Sequence, residues 1–414
     1  MRKENTNLPG ATLLKAAAAV FDRDTVERIL TPAISDMQQE WLEAMRAGKS
    51  RAAAAARLRG YLDFARTALA ISAIQGAGKL QKIPLPLVLG PMALAGLGVF
   101  WIRAAGAGGG DPSIAEGAGA AFYYKMQAAY LGAGVLLMAV AALVPVRRIA
   151  RTPFRWALLG AAVLGATLAF GIELDGARRW ISIAGLKVLP GELMKPLFLV
   201  AAAGCLAGLN AGRPARPLPS ALAIGALFTI PIALQPDPAL VAVLFVSLGA
   251  MGIAAGGTAI RRTAIALPCA ALAGIALRFG SLPESAASLG DRHTDFIGRV
   301  IVEQAGLWGV ALVAALMTLT LVSMRSAARR GGDRLAQVIA AGASAMWISQ
   351  AAIHLGGALG VLPRTGISLP LLSYGGSSVV SFFLTLGLLA GASIPPHAVQ
   401  SRPTTVARDP GPTL

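Results

Sequence analysis

Ten stretches of this chain are each close to the length and apolarity of a helix that crosses a bilayer, which takes roughly 20 mostly apolar residues. They fall near 83–102, 128–145, 156–172, 190–209, 218–234, 238–260, 263–277, 304–324, 335–356 and 377–394. A backbone inside hydrocarbon must satisfy its own hydrogen bonds, and a helix does so within one segment. The pattern therefore predicts an all-α polytopic membrane protein of about ten transmembrane helices. Composition agrees, with 14% charged side chains against about 25% in soluble domains. A soluble enzyme, a disordered chain and a disulfide scaffold are excluded. Cys205 and Cys269 both sit in apolar runs and read as small buried hydrophobes.

The formal charge is +17, which in a soluble chain would suggest nucleic acid. In a polytopic chain it sets orientation, because Lys and Arg concentrate in cytoplasmic loops. With ten crossings, both termini and every second loop share one side. Beyond residue 82 that side carries fourteen arginines, Arg147, Arg148 and Arg151 among them, against two aspartates, a net of +12. The other side carries ten basic and ten acidic residues and nets zero. Both termini are thus expected in the cytoplasm, with no nucleic-acid partner.

Residues 1–82 read as a cytoplasmic amphipathic helical region, 83–395 as the membrane domain and 396–414 as a Pro-rich disordered tail. The polar start MRKENTNLPG and Lys15 do not resemble a signal peptide. Thr31-Pro32 predicts a helix start and Gly48 a stop. Between them Ile34, Met37, Trp41 and Met45 share one face. A second helix is expected from Ser50 toward Gln75, bearing Arg51, Arg57, Arg59 and Arg66. The region is either a docking or membrane-surface module or a self-packed hairpin.

The residues with chemistry to offer lie in the outward loops. One runs from Glu173 through Arg178, Arg179 and Trp180 to Pro190, Glu192 and Lys195. Ionisable groups at membrane depth line a cavity or pair together, so Glu192 and Lys195 either serve a site or lock helices. Gln235-Pro236-Asp237 is a tight turn whose Asp237 could also cap the next helix. The loop from about 280 to 303 holds Asp291, His293, Thr294, Asp295 and Glu303. Its length is unusual here, and long loops are often functional; the alternative is a solvated loop with a capping Asp. A fourth group comprises Gln350, His354, Arg364, Thr365 and the run Leu369 to Ser378, with Ser373, Tyr374, Ser377 and Ser378 around two glycines. His354 has no neighbours at metal-ligand spacing.

These stretches together resemble the SEDS family (shape, elongation, division and sporulation), the FtsW/RodA/SpoVE-like proteins. Over about residues 83–395, Gly-Ala-Arg-Arg-Trp-Ile, Pro-x-Glu-Leu-x-Lys, Gln-Pro-Asp, His-Thr-Asp-Phe and Ser-Tyr-Gly-Gly-Ser-Ser stand in family order, with Lys125-Met126-Gln127 before the second helix. Departures are Pro238-Ala239 where Gly-Thr is common, His354 for Asn, Gly191 for Ser, and Glu303-Gln304 for an acidic pair. Residues 1–82 also exceed the family's usual short start.

The resemblance implies a peptidoglycan glycosyltransferase that polymerises lipid II into β-1,4 glycan with release of undecaprenyl pyrophosphate. A lipid II flippase or a non-catalytic scaffold for a cell-wall synthase are the other readings. An attacking sugar hydroxyl needs a base. A pyrophosphate leaving group needs charge neutralisation more than an acid. The resemblance assigns the base to Asp295. It assigns lipid II and pyrophosphate binding to Arg178, Arg179, Glu192, Lys195, His293, Ser373, Tyr374, Ser377 and Ser378. Lys125, Gln127, Asp237 and Glu303 support them. It implies no fixed cofactor beyond room for a divalent cation (Mg or Mn), a class B penicillin-binding protein as partner, and a bacterial inner-membrane location with a periplasmic catalytic face.

The charge partition generates a topology test. A cysteine placed at Ser288 is expected to react with an impermeant thiol reagent from outside intact cells. Reaction only after the inner membrane is opened would reverse the orientation.

Overall fold

The computed structural model describes residues 8–21, 23–107, 118–174, 177–183, 185–209, 217–256, 269–271, 273–274, 297–363 and 365–394. The chain forms two compact units, residues 1–81 and 82–414.

The first unit contains α1 (Ala11–Val20), a single turn at Arg23–Thr25, a π-helical turn at Val26–Leu30, α2 (Thr31–Arg46) and α3 (Ser50–Leu80). Ile34 and Met37 of α2 are buried with Ala17, Phe21, Leu30 and Phe64. Trp41 is half-buried and Met45 exposed, so the predicted stripe is core only over its first two turns. α2 starts at Thr31 with Pro32 in its first turn, but Thr31 is itself helical and is not the predicted N-cap. The chain is already helical from Val26, and the Thr31 hydroxyl donates to the Val26 carbonyl at 2.8 Å. Pro32 has no N–H to give, and a π turn just before it absorbs the missing bond. Gly48, at φ 66, ends α2 as expected, in the left-handed region that suits glycine.

The second unit contains α4 (Leu85–Ala107), α5 (Ala118–Leu143), α6 (Val146–Arg151) and α7 (Pro153–Phe170), then a small sheet. After it come α8 (Pro190–Leu193), α9 (Lys195–Leu206), α10 (Pro217–Leu234), α11 (Pro238–Ala254), α12 (Ile297–Arg330), α13 (Arg334–Ala358) and α14 (Gly376–Ser393). Seven of these, α4, α5, α7, α10, α12, α13 and α14, hold a stretch long and apolar enough to cross a membrane. The shorter α11 is also apolar. The expected seventh span, 263–277, lies mostly outside the described residues; 269–271 and 273–274 are helical. The tail 396–414 also lies outside them.

Two predicted boundaries move. The stretch after α7 is not simply a loop. It folds as an antiparallel sheet of β1 (Ile172–Leu174), β2 (Ala177–Ile183) and β3 (Leu186–Val188), in that order. The helix expected from 304 begins at Ile297. Gly306 (φ 56, ψ −149) divides that helix, with a backbone conformation open chiefly to glycine. Beyond the break Leu307 and Trp308 are exposed, as residues facing lipid would be.

The centre of the unit is α9. Every residue from Lys195 to Leu206 except the half-buried Leu197 is buried, by α6, α7, α10, α11, α13 and α14. Its 12 residues rise only about 18 Å, too short for a crossing. Protein rather than lipid surrounds it, which is where a broken helix at membrane depth can persist.

Without a hydrophobic force between helices in lipid, close packing needs small residues. On α14, Gly387 and Gly391 meet the Met138 and Ala142 carbonyls of α5, and a Cβ at Gly387 would collide with the former. Gly387→Ala is therefore expected to cost about 1–3 kcal/mol by forcing α5 and α14 apart. Gly96→Ala, which would meet nothing within 4 Å, should be neutral or slightly stabilising. Thermal unfolding of the two detergent-purified variants would distinguish them.

Candidate functional site

A buried polar network starts where α8 meets α9. Pro190 opens α8 and Pro196 the first turn of α9, with Met194 between them. This brings Glu192 and Lys195 to one face, three residues apart. The Lys195 ammonium lies 2.5 Å from Glu192 Oε1 and donates to Gln350 Oε1 of α13 at 2.9 Å. All three side chains are buried. Gln350 passes the chain on, donating to the Ser368 carbonyl at 3.2 Å. Ser381 of α14 donates to the Glu192 carbonyl at 2.7 Å.

One turn along α13, His354 Nδ1 stands 2.8 Å from the Ile367 carbonyl. That nitrogen therefore carries the proton and Nε2 is an acceptor. Nε2 is buried with no hydrogen-bond partner among the described residues, and a Cβ on Gly298 of α12 would lie 3.9 Å from it. A polar group left unsatisfied in a buried place is uncommon.

The sheet sorts the two arginines. Side chains alternate faces along a strand, so Arg178 and Arg179 on β2 point apart. Arg178 is exposed and pairs with Glu173 of β1 at 3.4 Å. Arg179 is largely buried, its guanidinium 3.7 Å from Asp237 Oδ2, and its Nε has no hydrogen-bond partner among the described residues. Asp237 also caps α11, accepting from the Leu240 N–H at 3.1 Å. Burial pushes the Asp237 carboxyl above its ordinary value, while Arg179 and the Leu240 N–H act the other way. The charges of Glu192 and Lys195 also act on it, so the two clusters share one electrostatic neighbourhood.

The segment before α14 is fastened down at several points. Ser373 is buried, and its hydroxyl accepts from the Leu369 N–H at 2.8 Å. Gln127 of α5 donates to the Ser373 carbonyl at 3.1 Å and accepts from the Gly375 N–H at 3.2 Å. Leu371 holds φ 64, rare for a side chain of its kind. Its carbonyl sits so close to Gly98 of α4 that a Cβ there would collide. Strain of this sort collects at functional sites. Tyr374 packs edge-on against Tyr123, centroids 5.0 Å apart. Burial, with the neighbouring Tyr130 and Tyr123, pushes its phenol up to about 12, so it stays a neutral donor. Ser377 accepts from the Leu189 N–H at 2.9 Å, tying α14 to the entry of α8. Ser378 is half-buried.

Glu192, Lys195, Arg179, Asp237, Gln127, Ser373, Tyr374 and Ser377 thus come together around the ends of α8, α11, α13 and α14. Lys125 and Glu303 are exposed instead, while Gln304 donates to the Ala104 carbonyl at 3.3 Å. His293, Asp295, Asp291 and Arg364 lie outside the described residues. Sequence reasoning missed Ser368, Ser381 and the tyrosines around Tyr374; Ser377 and Ser381, four apart on an apolar helix, were the available signal. Among the described residues no three His, Cys, Asp or Glu side chains gather as a metal site.

Comparison with known proteins bears on this arrangement. A family model described as the FtsW, RodA and SpoVE cell cycle proteins matches residues 92–279 and 266–395. The probable peptidoglycan glycosyltransferase FtsW of Bacillus subtilis is 27% identical, over 66% of this chain and 81% of its own length. The protein of that name from Thioalkalivibrio sulfidiphilus is 28% identical, over 83% of this chain and 99% of its length. The crystal structure of the rod shape determining protein RodA of Thermus thermophilus matches with a TM-score of 0.60 at 28% identity, covering 75% of this chain and 97% of that one. A chain from a peptidoglycan synthase complex that coordinates polymerization and crosslinking matches with a TM-score of 0.59 at 25% identity, covering 75% and 98%. With its matched segments running from residue 92 to 395, this chain belongs to the FtsW/RodA/SpoVE family of cell cycle proteins.

Proposed function

We propose that this multi-pass membrane protein is a peptidoglycan glycosyltransferase that polymerises lipid II, working on the outer face of the cytoplasmic membrane. The glycosyltransferase activity follows from the family and from relatives carrying that name. The finer reading rests chiefly on one observation. The Lys195 ammonium is held between Glu192 and Gln350, and the Arg179 guanidinium lies beside Asp237, which gives two buried cations of the kind a departing pyrophosphate requires. The base in this reading is Asp295, the residue that the family resemblance names.

In this reading the 4-hydroxyl of an acceptor sugar attacks the anomeric carbon of the lipid-linked donor. Asp295 takes the hydroxyl proton, and undecaprenyl pyrophosphate departs with inversion. Lys195 and Arg179 offset the charge that grows on the leaving pyrophosphate, Arg179 with a planar fork suited to phosphate. Glu192 and Gln350 orient Lys195. Arg178, exposed and paired with Glu173, is less well placed than Arg179 for this task. A class B penicillin-binding protein would cross-link the product, in keeping with the similarity to a chain of a synthase complex.

A lipid II polymerisation assay on the purified protein, alone and with its transpeptidase, tests the reading. Glycan product is expected; lipid movement without product would favour a flippase, and neither would favour a scaffold. Asp295→Asn should lower polymerisation by roughly 10²-fold or more, with yield and thermal stability little changed. A mutant that still makes substantial glycan would return the base to Glu303 or Asp237.

The ion pair calls for a second comparison. Lys195→Met should destabilise by about 3–5 kcal/mol, because Glu192 is left buried and unpaired. Adding Glu192→Gln removes that charge and is expected to restore the melting temperature but not glycan synthesis. Recovery of both would show that the pair only locks the bundle.

A further inference from the structure

The first unit separates its charges by helix. The 31-residue α3 carries Arg51, Arg57, Arg59, Arg66 and Lys79 with Asp63 as its sole acid, and Asp63 already faces Arg66 at 3.7 Å. The antiparallel-packed neighbour α2 has Asp36, Glu40 and Glu43 exposed and Arg46 as its one base. On α3, Ala53, Ala56 and Phe64 are buried. At 100° per residue, the opposite face carries Arg51, Leu58, Leu62 and Leu80, with Arg59 and Arg66 along one flank. Leu58 and Leu62 are 62% and 51% exposed. Among the described residues, neither leucine belongs to the unit's core.

We infer that this outer face of α3 lies on the anionic surface of the bilayer that the chain itself crosses. Three observations select a lipid surface. The face mixes leucine with arginine in the manner of an interfacial helix, whose apolar side chains enter the headgroup boundary while cations meet anionic lipid. Within the hairpin α2 carries three acids to one base and α3 five bases to one acid, so such a surface attracts α3 and repels α2. Only residues 81–84 separate α3 from α4, whose span starts at Leu85, so the carboxyl end of α3 is held at the membrane by the chain. That tether makes the encounter intramolecular, and modest attraction then suffices. The inference goes beyond the glycosyltransferase reading and does not depend on it.

The test uses the full-length chain with Cys205→Ala and Cys269→Ala, carrying an environment-sensitive fluorophore on Leu62→Cys or, for the opposite side, on Gln39→Cys. Each is placed in nanodiscs of phosphatidylcholine alone or mixed with phosphatidylglycerol. At position 62 the expected result is blue-shifted emission, shielded from an aqueous quencher, in the anionic discs only. It should be lost at high salt and reduced several-fold by Arg51→Gln/Arg59→Gln/Arg66→Gln. Position 39 should stay accessible throughout. Matching thermal unfolding curves for parent and triple variant exclude misfolding as the cause. Position 62 accessible in every disc would overturn the inference. So would shielding that ignores lipid charge and salt, which is the result a protein partner on α3 would give.

Discussion

The Lys195 ammonium, 2.5 Å from Glu192 and 2.9 Å from the Gln350 amide oxygen, can persist at this depth only because protein and not lipid surrounds it. An ion pair inside hydrocarbon must be fully partnered or it is lost to the cost of desolvation. That requirement fixes much else. The helix bearing Lys195 must be central, so α6, α7, α10, α11, α13 and α14 close around it. Its partner Gln350 must face inward, which sets the rotation of α13. The α8–α9 break is tolerable for the same reason, since its freed backbone groups never meet lipid.

Around that centre the structure builds a polar end on an apolar bundle. Arg179 arrives from a strand, Asp237 from the cap of α11, and the 365–375 segment is bound to Gln127 and strained at Leu371. Each of these comes from a different part of the chain. A site assembled this way can be rigid without being large, because helix ends and a short sheet hold the side chains. Among the described residues two atoms of it have no hydrogen-bond partner, Arg179 Nε and His354 Nε2. One is a donor and the other an acceptor, as a site that receives both an anion and sugar hydroxyls would require.

The first unit obeys another logic. Its small core, built on Leu30, Ile34, Met37 and Phe64, leaves Leu58 and Leu62 of α3 outside. Within its hairpin the acids gather on α2 and the bases on α3.

Much of this was legible in the sequence, for reasons that are local. Long apolar runs dictate helices because no other single segment satisfies its backbone in lipid, and the loop motifs named the family and several of the polar side chains that the fold brings together. Glu192 and Lys195 were visible as a pair because three residues of helix bring side chains together. What stayed hidden was whatever depends on distant segments. Alternation along β2 could have separated Arg178 from Arg179, but only the partner across the fold, Asp237, decides which one is buried. Thr31-Pro32 carries every mark of a helix start, yet packing of Leu30 and Ile34 extends the helix through it. That Gln350 and Ser381 complete the Lys195 network, 155 and 189 residues from their partners, is a matter of which helices touch. Hydrophobic length determines that a helix crosses a membrane; it carries no information on which face meets which neighbour, and that was settled by tertiary packing alone.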